Sequence, residues 1–228
     1  YLLMLSPNKL FHIYNHANGT DNLFTTDANY FFFLQKILKY IVPICDVYAY
    51  CLLPNHFHLF VRVKMKAEAI TFYENYLQSN NLDPTERMDV QDRISKIIHL
   101  DTDGNSDLQY QKYISKQFSN LFSSYTQSFN KVYNRRGSLF LKNFKSKEVD
   151  SAKYLASIVQ YIHYNPVKHQ LVSKVEHWKW SSYQYFVSNH QSFVLKDKVL
   201  AYFGSADEFI LAHSRRCIFD GGNEFEYF

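Results

Sequence analysis

The chain has 228 residues, of which 46% are hydrophobic and 20% charged, and it carries a formal net charge of +4. Six glycines and five prolines exclude a collagen-like, linker-like or broadly disordered polymer, and the length suits one large domain, or one domain with an insertion, around a sizeable core. Cys45, Cys51 and Cys217 form no CxxC pair and no disulfide framework, and no apolar run nears the roughly 18 residues of a membrane helix. The expectation is a soluble protein of a reducing cytoplasm, with no membrane partner. No charged-then-apolar signal segment opens the chain; it starts at Tyr1 without an initiator Met, from which a short missing N-terminus is expected.

In chain order, Lys9–His16 alternates as a strand does and is followed by a turn at Asn18-Gly19. Asp27 is placed to cap a helix through Tyr30–Tyr40 that Pro43 stops. Ile44–Leu53 and Phe57–Val63 are rich in β-branched and aromatic residues and read as two strands joined by a Pro54-Asn55 turn. The stretch 66–107 suits one or two surface helices with a polar loop at Asp101–Ser106. A long helical pattern runs from Tyr110 to about Tyr133, with Tyr113, Phe118, Leu121, Phe122, Tyr125 and Phe129 on its apolar side. Gly137 turns into a short extended element over Ser138–Lys145. Asp150 or Ser151 then caps a helix through Tyr161–Tyr164, expected to end at Asn165-Pro166 because the residue before proline is pushed out of α geometry. Two short helical patterns follow, near Lys196–Phe203 and Asp207–His213. Strand, helix, two strands and then helices predict an α+β fold, an antiparallel sheet with helices on one face. No internal repeat is visible.

Charge is unevenly spread. Lys66 to Asp107 holds nine acids against four bases, whereas the next forty residues, Leu108 to Lys147, hold no acid and eight bases: Lys112, Lys116, Lys131, Arg135, Arg136, Lys142, Lys145 and Lys147. Interleaved with Tyr125, Phe129, Tyr133, Phe140 and Phe144, these suit a polyanion with flat faces to stack on, such as a nucleic acid. A solvated helix face over a buried aromatic stripe would give the same composition.

Two segments carry chemistry. In Leu52-Leu53-Pro54-Asn55-His56-Phe57-His58-Leu59 the two histidines stand two apart on a strand, so their imidazoles share a face while Phe57 turns to the other. Such a pair can hold one divalent cation with positions left open for substrate, and it can equally be two half-buried structural histidines. In Tyr161-Ile162-His163-Tyr164-Asn165-Pro166-Val167-Lys168-His169, Tyr161 and Asn165 lie one helical turn apart on the same face. The Asn165 amide oxygen suits a hard cation and could complete the histidine site, with the Tyr161 hydroxyl beside it. A phenol is a weak nucleophile at its ordinary pKa of about 10, and a cation that polarises a phosphate diester eases its attack. His163 faces away from Tyr161 and is left as a structural or DNA-contacting residue; Lys168 and His169 sit where they can meet phosphate.

These segments resemble the REP-associated tyrosine transposases, the domesticated branch of the single-tyrosine HUH transposases. The likeness runs through Phe11-His12-Ile13-Tyr14-Asn15, Tyr48-Ala49-Tyr50-Cys51-Leu52-Leu53-Pro54-Asn55-His56-Phe57-His58-Leu59, Tyr125-Thr126, Phe129-Asn130, Gly137-Ser138-Leu139-Phe140, Phe144-Lys145-Ser146, Tyr161-Ile162-His163-Tyr164-Asn165-Pro166-Val167-Lys168, Trp180-Ser181-Ser182-Tyr183 and Val199-Leu200-Ala201-Tyr202-Phe203-Gly204. The resemblance implies a ferredoxin-like or RRM-like sheet with His56 and His58 on a central strand. It further implies Tyr161 as nucleophile, His56, His58 and Asn165 as ligands of Mg²⁺ or Mn²⁺, and cleavage and rejoining of single-stranded DNA near a hairpin through a 5′-phosphotyrosine. Asn15-His16-Ala17-Asn18-Gly19 lacks the arginine that the family usually carries there, and the acidic stretch 66–107 is longer than the usual connection.

The sequence is therefore read as a DNA-nicking and strand-transferring enzyme, monomeric or homodimeric and associated with the nucleoid. Residues 1–187 form the catalytic unit, with 66–107 insertion-like, and residues 188–228 a helical tail. Lys112, Lys116, Lys131, Arg135, Arg136, Lys142, Lys145, Lys147 and Lys168 are the expected DNA contacts. Two alternatives stay open: a metallohydrolase or deaminase using His56 and His58, which lacks the Glu beside a His and the CxxC of a zinc deaminase, and a non-catalytic RRM-like module that binds nucleic acid.

Overall fold

The computed structural model describes residues 4–101, 106–150 and 152–214. Cys217, Ser151 as a cap, part of the Asp101–Ser106 loop and the end of the expected tail lie outside those residues. Four strands, β1 Leu10–His16, β2 Cys45–Leu53, β3 His56–Val63 and β4 Lys145–Val149, form one antiparallel sheet in the order β2-β3-β1-β4. The helices are α1 Asp27–Tyr40, α2 Lys66–Ser79, α3 Pro84–Ile98, α4 Ser106–Val132, α5 Ala152–Lys168, α6 Tyr183–Phe186, α7 Lys196–Phe203 and α8 Ala206–Ser214. Strand β3 enters between β1 and β2, and the arrangement is the split βαβ of a ferredoxin-like fold.

The α+β class and the antiparallel sheet are as expected. The two faces of the sheet bear different chemistry, because side chains alternate along each strand. Phe57 packs against Phe33 of α1 and Phe122 of α4, with ring centroids 5.2 and 5.8 Å away, and Phe140 joins them. The second face carries His12, Tyr14, His16, His56 and His58, and Tyr161 of α5 lies against it. Helices α1 and α4 thus lie on the Phe57 face, and α5, with the C-terminal helices behind it, lies on the histidine face. Helices α7 and α8 pack on α5.

Local chemistry sets several boundaries. Thr26, not Asp27, is the N-cap of α1, because the Asn29 side-chain oxygen accepts from the backbone of Thr25 and Thr26 and closes the turn before Asp27. The β2–β3 turn is held from outside: Ala17 donates its backbone N–H to Asn55, and Leu23 and Phe24 donate theirs to Pro54. Those bonds fix where His56 begins β3. The acidic stretch forms two helices, α2 and α3, and Arg62 ties the first of them to the sheet by bonding both Asp46 and Glu68.

Two further expectations fail. Ser138–Lys145 is not the extended element; it is an irregular connection pinned by Leu141 N–H to His16 O and by an Ala17–Phe140 bridge, and the strand starts at Lys145. The sequence Lys-Ser-Lys-Glu-Val has no apolar alternation, so an exposed edge strand hides there. Helix α5 also does not stop at Asn165: it runs through Pro166 to Lys168. The missing proline N–H costs one bond, while Asn165 Nδ2 donates to Tyr161 O at 2.8 Å and His169 N–H still reaches Asn165 O at 2.9 Å.

Candidate active site

The hairpin β2–β3 sets His56 and His58 on the face toward α5, and the register pairs them with His16 and Tyr14 of β1. Both imidazoles are nearly inaccessible, 6% and 2% exposed. Tyr161, on the buried side of α5, points its ring edge-on to His58 and to His12, with centroid distances of 5.6 and 5.9 Å. Asn165 follows one turn later and is buried beside the phenol. His58 and Tyr161, a hundred positions apart in the chain, are thus in ring contact, with Asn165 beside the phenol.

Hydrogen bonding prepares the two histidines. His56 Nδ1 lies 2.8 Å from Asn55 Oδ1. An amide oxygen only accepts, so Nδ1 carries the proton and Nε2 keeps its lone pair. His58 Nδ1 lies 2.9 Å from His12 Nε2. His58 Nε2 and Asn165 Oδ1 are buried polar atoms with no hydrogen-bond partner among the described residues, which makes them candidate ligand atoms.

Electrostatics agree with this arrangement. Burial, followed by the neighbouring His169 and His16, pushes the His56 pKa down to about 3, and burial with the adjacent His12 and His56 takes His58 well below its ordinary value. Both imidazoles are neutral at physiological pH, the form that binds a cation. Burial pushes the Tyr161 phenol up to about 12, partly offset by the Asn165 amide beside it. Among the described residues no three His, Cys, Asp or Glu side chains form a group that could hold a metal ion.

Comparison with known proteins gives little. No family model matches the chain, and no curated protein matches it. Among solved structures, that of a REP-associated tyrosine transposase bound to a REP hairpin is similar at 17% identity, covering 85% of this chain and 86% of that one, with a TM-score of 0.44.

The other expected residues are distributed over separate places. Lys147 lies opposite His12 and Lys145 opposite Tyr14, so both belong to the histidine face. Lys168 ends α5 with its ammonium 5.9 Å from the centre of the Tyr161 ring. Lys112 and Lys116 line a different cleft of about 630 Å³ between α4 and the 138–144 connection, with Asn15, Phe122 and Phe144. Lys131, Arg136 and Lys142 are exposed. Arg135 is engaged within the protein: its guanidinium bonds Asp21, Asn130 Oδ1, Gly137 O and Ser138 O. His163 is fully buried and bonds His213 and Ser182, so it is the structural residue of its two expected roles.

Sequence reasoning assigned no role to His12, Tyr14 or His16, although all three share the histidine face. His169 also reaches His56, with centroids 4.8 Å apart, because α5 continues past the proline. The available signal was the alternation His12-x-Tyr14-x-His16 on β1, which places three ring side chains on one face.

Proposed function

We propose that the chain cleaves and rejoins single-stranded DNA, next to a hairpin, through a 5′-phosphotyrosine on Tyr161. The observation that carries this reading is that two orphaned polar atoms, His58 Nε2 and Asn165 Oδ1, belong to buried residues beside the buried Tyr161 phenol. Two neutral imidazoles and an amide oxygen fit Mg²⁺ or Mn²⁺, held by His56, His58 and Asn165. Bound there, the ion would supply Lewis-acid polarisation of a phosphate diester.

The chain's own residues do the rest. In the first step the Tyr161 hydroxyl oxygen bonds to phosphorus, the bond from phosphorus to the 3′ oxygen breaks, the phenol proton goes to solvent, and the 3′ oxygen takes a proton from solvent and leaves as a hydroxyl. Rejoining reverses this: a 3′ hydroxyl attacks the phosphotyrosine and Tyr161 regains its proton. With a pKa near 12, Tyr161 waits protonated, and the Asn165 amide is placed to favour the phenolate as it forms. Lys145, Lys147 and Lys168 line the same face and suit the phosphates on either side of the scissile bond. Lys112, Lys116, Lys131, Arg136 and Lys142 would hold DNA further from the reacting atoms. Residues 1–187 would form the catalytic unit, working on the DNA of the cytoplasm. No helix among the described residues is long and apolar enough to cross a membrane.

A stacking module of the RRM type uses an open sheet face for bases. Here α5 lies over the histidine face, which favours the enzyme. The test is adduct trapping. Labelled single-stranded hairpin DNA with Mn²⁺ should leave a protein–DNA adduct that survives denaturant, absent with chelator and absent in Tyr161→Phe, while Tyr161→Phe keeps its fold and its DNA binding. An adduct that persists in Tyr161→Phe moves the nucleophile elsewhere; no adduct from the unmodified protein on several hairpins leaves a binding module.

A further inference from the structure

His12 is fully buried on β1, stacked on His58 with centroids 5.1 Å apart and planes 20° from parallel. Its Nε2 lies 2.9 Å from His58 Nδ1, and one proton must sit between them. If His12 Nε2 carries it, a neutral His58 has its own proton on Nε2, and the lone pair that would meet a cation is gone. If His58 Nδ1 carries it, His58 Nε2 presents a lone pair into the site and His12 acts as acceptor. His56 solves the same problem with a different partner, its Nδ1 proton given to Asn55 Oδ1 at 2.8 Å.

We infer that His12 is a positioning residue: by accepting the Nδ1 proton of His58 it fixes the His58 tautomer and ring direction that leave Nε2 for a divalent cation. This rests on the cation site read above at His56, His58 and Asn165. A carboxylate or carbonyl commonly plays that part for metal-binding histidines, and its loss typically weakens binding by about 10- to 100-fold. Here an imidazole takes the place, and Lys147 stands opposite it on β4.

The experiment measures Mn²⁺ affinity by titration calorimetry or by electron paramagnetic resonance on the full chain, with thermal melts in chelator as a control for folding. His12→Leu removes the acceptor and keeps an apolar filling; we expect affinity to fall by about 10- to 100-fold. His12→Gln restores an amide oxygen near the Nε2 position and should stay within about threefold of the unmodified protein. His58→Ala is the reference for the site itself. If the unmodified protein binds no Mn²⁺, or His58→Ala binds it equally well, the cation site is wrong. If His58→Ala loses binding while His12→Leu keeps it, the site stands and the role of His12 is overturned. Long-range ¹H–¹⁵N spectra of the unmodified protein with Zn²⁺, a diamagnetic ion that imidazole also takes, give an answer even if His12→Leu does not fold. A proton on His58 Nδ1 is expected, and its absence there overturns the proposal.

Discussion

At the scale of single residues, identity and neighbourhood separate look-alikes. Arg135 and Arg136 are adjacent in the acid-free stretch and equally basic, yet Arg135 is engaged within the protein and Arg136 is exposed. Arg135 uses its fork to join the end of α4 to the loop after β1, through Asp21, Asn130 and two carbonyls. Arg135→Ala should therefore lower unfolding stability by about 2 kcal/mol, read as a shift in urea midpoint at unchanged m, because charge-assisted bonds are lost and two carbonyls return to water. Arg136→Ala should change stability by less than about 0.5 kcal/mol, as surface substitutions do. Equal stability of the two variants would remove the clamp. The candidate site was legible at this scale where spacing itself carries the chemistry: His56 and His58 two apart on a strand, Tyr161 and Asn165 four apart on a helix. His12 was hidden because one histidine in an apolar strand looks like any core residue; only the register that lays β1 beside β3 brings it to His58.

Elements explain the remaining surprises. Strand β4 is polar, so no period-two hydrophobic signal announced it; its pairing to β1 comes from backbone bonds, and one of its faces looks onto His12 and Tyr14. Helix α5 overrides the local preference of the residue before proline, since the bonds on either side of Pro166 survive and the buried face from Tyr161 to Asn165 stays packed. Together these elements divide the basic residues between two places. Lys145 and Lys147 lie on the histidine face, opposite Tyr14 and His12, whereas Lys112 and Lys116 border the cleft beside α4. Neutralising Lys145 and Lys147 together should flatten the dependence of log affinity on log salt for single-stranded DNA by about 1.4, at roughly 0.7 per phosphate. An unchanged slope would place the grip outside the histidine face. The same measurement with Lys112 and Lys116 neutralised tells whether DNA extends into the second cleft.

Across the whole molecule, buried neutral histidines tie the layers together and set a pH limit. His213 donates Nδ1–H to Phe209 O, its Nε2 accepts from His163 Nδ1, and His163 Nε2 accepts from the Ser182 hydroxyl, whose oxygen takes the Tyr50 N–H of β2. The chain of bonds assigns one proton to each imidazole, and a second proton on either would set donor against donor. Burial accordingly pushes His213 down to about 4 and His163 well below its ordinary value, and burial likewise holds His12 and His56 near 3. The sign follows from these directions. In the unfolded chain the same histidines take protons below about pH 6.5, so the unfolded state binds more protons and stability falls as the pH drops. Their contribution is complete above about 6.5 and shrinks through the window down to 4, each group removing up to about 1.4 kcal/mol per pH unit. Urea midpoints of the metal-free protein should accordingly fall steeply from pH 7 to pH 5, by several kcal/mol in total. His213→Gln should lower stability at pH 7, because the relay loses a member, and should also make the pH dependence shallower by one proton's share. A midpoint that stays flat between pH 7 and 5 would mean that these imidazoles accept protons in the folded protein, and the relay from α8 through α5 to β2 would then not be the bond network described.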